Sequence, residues 1–342
     1  MRKVLLTTDL YHPHNDPNDH YNLATMYALA RRRLIKFAGV LLDEDKPDRV
    51  RGYQTYGDPS VESVAQLNYI TGISVPEAVG SHKPMKCEED ILEVLNSGQI
   101  IPSANHIISV LEEGGEVDIH LCGSCRDVML AARMRPDLFT EKVRIFLNAG
   151  TYIDQDILEY NVSLEPFSFS RMFDLPCQIM WAPCFSSLHE DKFGTLAERA
   201  NFYWIMHEDI LPYLSRQMKN FFTYMYTAER EKGWLSYIQG EEDQAALEKF
   251  GTGERWMWST PGFLMSAGKS LRKDASLAEE FSPEAIYEYE PVIVKCEPNG
   301  KLTWRLAEAG EKTNVKMFCI RDMENFQPAM AAIVKELLTE LP

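Results

Sequence analysis

The feature that most constrains this 342-residue chain is an alternation of short apolar runs of strand length with longer stretches in helical period. Val4–Thr8 reads as a strand, and Asp19–Arg33 as a helix carrying Leu23, Met26, Tyr27 and Ala30 on one face. Arg31, Arg32 and Arg33 stand where the carbonyl end of a helix favours cations. Ile35–Leu42 is an apolar run with almost no polar interruption, the pattern of a strand covered on both faces. The order continues with Pro59–Ile70 helical, Val75–Gly80 extended, Ser103–Glu113 helical, Asp118–Cys122 a strand and Asp127–Met134 a helix. Val143–Leu147 then reads as a strand, Pro166–Phe173 as a helix and Cys177–Trp181 as a strand. Strands that alternate with helices in this way predict an α/β fold: a mostly parallel central sheet with helices on both faces. In such sheets ligands bind beyond the carboxyl ends of the strands.

From Ala200 to Gly268 the character becomes helical and aromatic, with Tyr203, Trp204, Phe221, Phe222, Trp256 and Trp258 among the rings. The tail returns to strands. Tyr287–Cys296 and Leu302–Leu306 flank the turn Pro298-Asn299-Gly300, Asn314–Ile320 follows, and Asp322 stands as N-cap of a last helix running to Leu341. Without a repeat or a long linker, residues 1–342 read as one domain.

Charge narrows the function. With 35 basic and 51 acidic residues the net charge is −16, which repels phosphate backbones and anionic lipid, so neither nucleic acid nor a membrane surface is the expected partner. The apolar run Val4-Leu5-Leu6 is too short for a signal-peptide core, and no stretch reaches the roughly 18 apolar residues of a spanning helix. Seven cysteines, scattered and odd in number, do not read as a disulfide framework, so a cytoplasmic location is expected.

The polar turn after the first strand is where chemistry concentrates. Between Thr8 and His20 stand the carboxylates of Asp9, Asp16 and Asp19, the imidazoles of His12, His14 and His20, and the amides of Asn15 and Asn18. A capped turn accounts for Asn18 or Asp19 and for the prolines. It does not account for Asp9 at a strand end together with His12, His14 and Asp16. Clustered carboxylates suit a hard cation such as calcium. His12-x-His14-x-Asp16 suits zinc instead, and begins like the motif of metallo-β-lactamase-type hydrolases, but Pro17 stands where that motif needs a histidine.

Several segments together resemble the nucleoside hydrolases. Thr8-Asp9 with Asn18-Asp19 resembles that family's D-T-D-P-G-x-D-D turn. Cys122-Gly123-Ser124-Cys125-Arg126-Asp127-Val128 resembles its G-P-L-T-N loop, and Glu159-Tyr160-Asn161 through Glu165-Pro166 its E-F-N-x-x-x-D-P motif. The order and spacing agree over nearly the whole chain. The resemblance implies a nucleoside-hydrolase-like fold and a calcium-dependent N-ribohydrolase acting on a nucleoside or related riboside, assembled as a homodimer or homotetramer. It also implies roles: Asp9 as calcium ligand and general base, Asp19 as second carboxylate ligand, and the main-chain carbonyl of Arg126 as a third. Asn161 would bind ribose hydroxyls and Glu159 the 5′ side of the sugar. Asp16, Asn18, Asn148, Trp258 and Thr260 would line the substrate.

The chain also departs from the family pattern. Eight residues separate Asp9 from Asn18, a longer turn than the family's, and Asn18 replaces the first aspartate of its pair. Ser259-Thr260 before Pro261 stands where the family has a His-Asp pair that supplies a leaving-group acid and a calcium ligand. Neither hydroxyl is a proton donor of suitable pKa. A second reading follows: a catalytically degenerate relative that binds a ribosyl or sugar ligand. A third takes Cys122-Gly123-Ser124-Cys125 as a thioredoxin-type redox pair with a depressed Cys122 pKa.

Overall fold

The computed structural model describes residues 1–10, 18–43, 61–81, 83–150, 158–184, 198–226 and 233–342. The first half alternates as expected: β1 (Lys3–Thr8), α1 (Asn18–Arg31), β2 (Lys36–Leu42), α2 (Val61–Thr71), β3 (Glu77–Val79), α3 (Glu88–Asn96), α4 (Pro102–Glu112), β4 (Val117–Leu121) and α5 (Arg126–Met134). Next come β5 (Val143–Asn148), α6 (Tyr160–Leu164), α7 (Pro166–Met172), β6 (Gln178–Ala182) and β7 (Tyr203–Met206). Helices α8 (Arg216–Tyr224), α9 (Trp234–Gln239) and α10 (Gln244–Phe250) lead to β8 (Glu254–Met257) and α11 (Thr260–Ser266). The chain ends with β9 (Lys269–Leu271), β10 (Leu277–Glu279), β11 (Tyr287–Cys296), β12 (Leu302–Leu306), β13 (Val315–Ile320) and α12 (Met323–Thr339).

A nine-stranded sheet runs in the order β12-β11-β13-β6-β5-β4-β1-β2-β3. From β3 to β13 every neighbouring pair is parallel, and β11 and β12 add an antiparallel edge. Alternate residues of the strands go to opposite cores. Val4, Leu6, Val40, Leu42, Phe146 and Met180 pack with α1 and α12, whereas Leu5, Leu41, Ile119, Leu121, Ile145 and Trp181 pack with α4, α5 and α7. Both faces are therefore covered, which is why the strands read as unbroken apolar runs.

Three expectations change. Helix α1 is buried without a gap from Asp19 to Leu29, not on one face only, because further helices cover the side away from the sheet. The aromatic region holds an antiparallel strand pair, with Tyr203 opposite Met257 and Trp204 opposite Trp256, as well as helices. Its two strands are too far apart in sequence for local periodicity to reveal. Helix α3 and the β9–β10 pair were not anticipated either. Asp322 caps α12 as expected, its carboxylate accepting the Asn325 N–H at 3.2 Å. No described helix is long and apolar enough to cross a membrane.

Candidate functional site

The chain leaves β1 toward β2 and β3, then returns to form β4 on the other side of β1. The crevice outside the carboxyl ends of β1 and β4 is thus a topological switch point, where an α/β sheet leaves room for a ligand. Asp9 follows β1 there and Asp43 follows β2, and both are buried. The Asp43 N–H donates to the Thr8 carbonyl at 2.8 Å and the Cys122 N–H to the Thr7 carbonyl at 3.0 Å, which holds the three strand ends in line. Asp43 Oδ2 accepts the Ser124 N–H at 2.5 Å. Gly123 fills the space between the two aspartates: a Cβ on it would lie 3.0 Å from Asp43 Oδ2 and 3.5 Å from the Asp9 nitrogen.

Asp19, the second residue of α1, is also buried. Burial pushes the Cys122 thiol far above its ordinary value, and the nearby carboxylates of Asp19 and Asp9 push it further. The two aspartates, ten positions apart in the chain, thus both act electrostatically on one buried thiol. Cys122 Sγ in turn donates to Ser259 Oγ at 3.1 Å.

Ser259 joins this half of the site to the end of β5. Its oxygen also accepts from Asn148 Nδ2 at 2.8 Å, while Asn148 Oδ1 accepts from Asn201 Nδ2 at 2.7 Å and its carbonyl from Asn161 Nδ2 at 3.0 Å. Asn201 Nδ2 also reaches the Trp258 carbonyl at 3.1 Å. The Trp258 ring lies against Phe202, with centroids 5.6 Å apart. Thr260 is fully buried, its hydroxyl 2.6 Å from that of Tyr203.

Other expected site residues have structural partners of their own. The Glu159 carboxylate caps α6, accepting from the N–H groups of Asn161 at 3.0 Å, Val162 at 3.3 Å and Gly150 at 2.8 Å. Arg126 is the first residue of α5. Its carbonyl joins the helix ladder with one lone pair and keeps a second. Its side chain is buried and pairs with Glu165 (Nε to Oε1, 2.7 Å) and with the Ser81 carbonyl. Glu165 also accepts the Met85 N–H at 3.0 Å, and burial pushes its carboxyl up to about 7 despite the guanidinium. Asn18 opens α1, and Asp16, like His12 and His14, lies outside the described residues.

Asp43 belongs to the same strand-end region; its sequence signal is that it follows β2 as Asp9 follows β1. The redox reading of Cys122 and Cys125 needs a depressed thiol, yet both are free and buried, and burial pushes both up. Among the described residues no three or more His, Cys, Asp or Glu side chains are grouped to hold a metal ion. The pair Asp9 and Asp19 nonetheless offers buried carboxylate oxygens, the donor type that suits a hard divalent cation.

No protein-family model and no curated protein matches the sequence. Solved structures do. A plant nucleoside hydrolase, PpNRh1, superimposes with a TM-score of 0.56 at 14% identity, covering 99% of both chains. The purine-preferring ribonucleoside hydrolase from Gardnerella vaginalis gives 0.54 at 10% identity over 99% of both chains. An inosine-guanosine nucleoside hydrolase gives 0.53 at 12% identity over 100% of both. The chain therefore has the fold of the nucleoside hydrolases.

Proposed function

We propose that the protein is an N-ribohydrolase that cleaves the C1′–N bond of a nucleoside or related riboside in the crevice at the ends of β1, β4 and β5. The observation that carries this reading is the hydrogen-bond chain Cys122–Ser259–Asn148–Asn161, which ties the ends of β4 and β5 together beside buried Asp9 at the end of β1. Asp9 is the general base that takes the proton of the attacking water as the water oxygen bonds to C1′. A calcium ion, held by Asp9, Asp19 and the Arg126 carbonyl, would supply a positive charge that orients the ribose diol and acidifies the water. Asn161 spends its amide N–H on the Asn148 carbonyl and turns its own carbonyl oxygen to a ribose hydroxyl. Glu159 acts chiefly by shaping the α6 start that presents Asn161, and Asp16, Asn18, Trp258 and Thr260 complete the substrate surface. A cytoplasmic homo-oligomer is part of the same proposal.

The state of Ser259 and Thr260 favours a second reading, a binder that no longer cleaves. Both hydroxyls are already hydrogen-bonded, and neither is an acid at neutral pH. Ribose release from purine, pyrimidine and pyridinium ribosides, measured with calcium added and beside ligand binding, separates the two. Release that Asp9→Asn abolishes supports the hydrolase; binding without release from any riboside leaves the binder.

A further inference from the structure

Resting on the N-ribohydrolase reading, we infer that the substrates of this site are ribosides of a permanently cationic base, a pyridinium or an N-alkylated purine, whose base departs as a neutral molecule.

The argument starts from the electron pair of the C1′–N bond. When a neutral nucleoside is cleaved, that pair leaves with the base, which departs as an anion unless a proton reaches it. When the base is quaternised, the same pair cancels the positive charge. Water then supplies the oxygen on C1′ and one proton to Asp9, and no other proton is needed. Under the reading above, the turn 258–261 is the part of the described site that the base meets, since it closes over Cys122 and Asn148.

That turn is built from neutral groups in a closed arrangement. Ser259 Oγ is buried and accepts from Cys122 Sγ at 3.1 Å and Asn148 Nδ2 at 2.8 Å. Thr260 is spent on Tyr203 at 2.6 Å, and the Asn201 amide nitrogen on Asn148 and the Trp258 carbonyl. The phenol that touches Thr260 is itself pushed up by burial, so it holds its proton more firmly than in water. The field of the crevice points the same way. Asp9 and Asp19 would be matched by the calcium ion they hold, and Asp43 adds a third buried carboxylate at the neighbouring strand end. A carboxylate disfavours an anionic leaving group and attracts a cationic ligand, as does the net charge of −16.

The experiment compares nicotinamide riboside and 7-methylguanosine with inosine and guanosine. Each enzymatic rate is divided by the uncatalysed rate of the same compound in the same buffer, which removes intrinsic lability. General-acid help, which no group of the turn 258–261 supplies, is worth on the order of 100-fold or more. The rate enhancement for the two cationic ribosides is therefore expected to exceed that for the neutral pair by at least ~100-fold. Their log kcat is expected to stay level from neutral to alkaline pH. Equal or larger enhancement on inosine or guanosine, or a fall in kcat above neutral pH for the cationic substrates, overturns the inference and leaves the hydrolase reading intact. No ribose release from any of the four removes both.

Discussion

Glu159 shows how a residue marked by a motif can also carry a structural task. The E-Y-N motif marks it as a sugar contact, and the structure shows its carboxylate serving two backbone N–H groups at the start of α6 and that of Gly150 after β5. Glu159→Ala should cost ~1 kcal/mol of stability as a lost N-cap, visible in urea denaturation. Buried titratable side chains set the pH response. His120 stacks on Phe146, its Nε2 is 2.7 Å from Ser266 Oγ, and burial pushes it from 6.5 down to about 3. As pH falls from 6.5 toward 3 the unfolded chain takes up a proton that the folded chain refuses, so stability drops. Glu165 has the opposite slope. Raised from 4.5 to about 7, it keeps a proton in the fold that the unfolded chain has already released, so its contribution falls as pH rises through that window. Urea midpoints from pH 4 to 7.5 should lose the acid-side decline in His120→Gln and the opposing slope in Glu165→Gln. Unchanged profiles in both variants would contradict these assignments.

Between elements, the strongest tie near the site is the buried pair Arg126–Glu165, which joins the start of α5 to the start of α7 and, through Ser81 and Met85, to the chain after β3. Arg126→Ala leaves the Glu165 carboxyl buried without its partner and should cost ~3–5 kcal/mol. The double change Arg126→Met with Glu165→Met should cost less than that single, since it removes both charges. A double-mutant cycle in urea measures the difference; a double variant weaker than either single would argue against the pair as the source. Gly123 is the counterpart among backbones. Its replacement by alanine drives a Cβ to 3.0 Å from Asp43 Oδ2, so Gly123→Ala should destabilise by ~1–3 kcal/mol, read from the same denaturation curves.

At the level of the whole molecule, a ligand that binds only the fold raises its stability by mass action. If Asp9 and Asp19 hold calcium, a concentration of 100 times its Kd adds ~2.7 kcal/mol. Thermal melts with calcium and with chelator should differ for the native chain and coincide for Asp9→Asn/Asp19→Asn. Coincident melts for the native chain would count against the metal. The sequence by itself determined the sheet and its ends. Alternating periods, the tail hairpin and the Asp322 cap are local patterns, and once strands are parallel, Asp9 and the Cys122 loop must reach the same edge. What only the tertiary structure decided is who meets whom there. The β7–β8 pairing, the burial of Asp43 beside Gly123 and the turn of the Arg126 side chain to Glu165 all join distant segments. Cys122 and Ser259 lie 137 positions apart, and no local period encodes a contact of that span. Whether their hydrogen bond forms depends on packing α11 against β4 and β5, where a Cβ on Gly262 would come within 2.9 Å of Phe146. Periodicity is a property of neighbouring residues, whereas a site at a switch point is made by segments that the fold alone brings together.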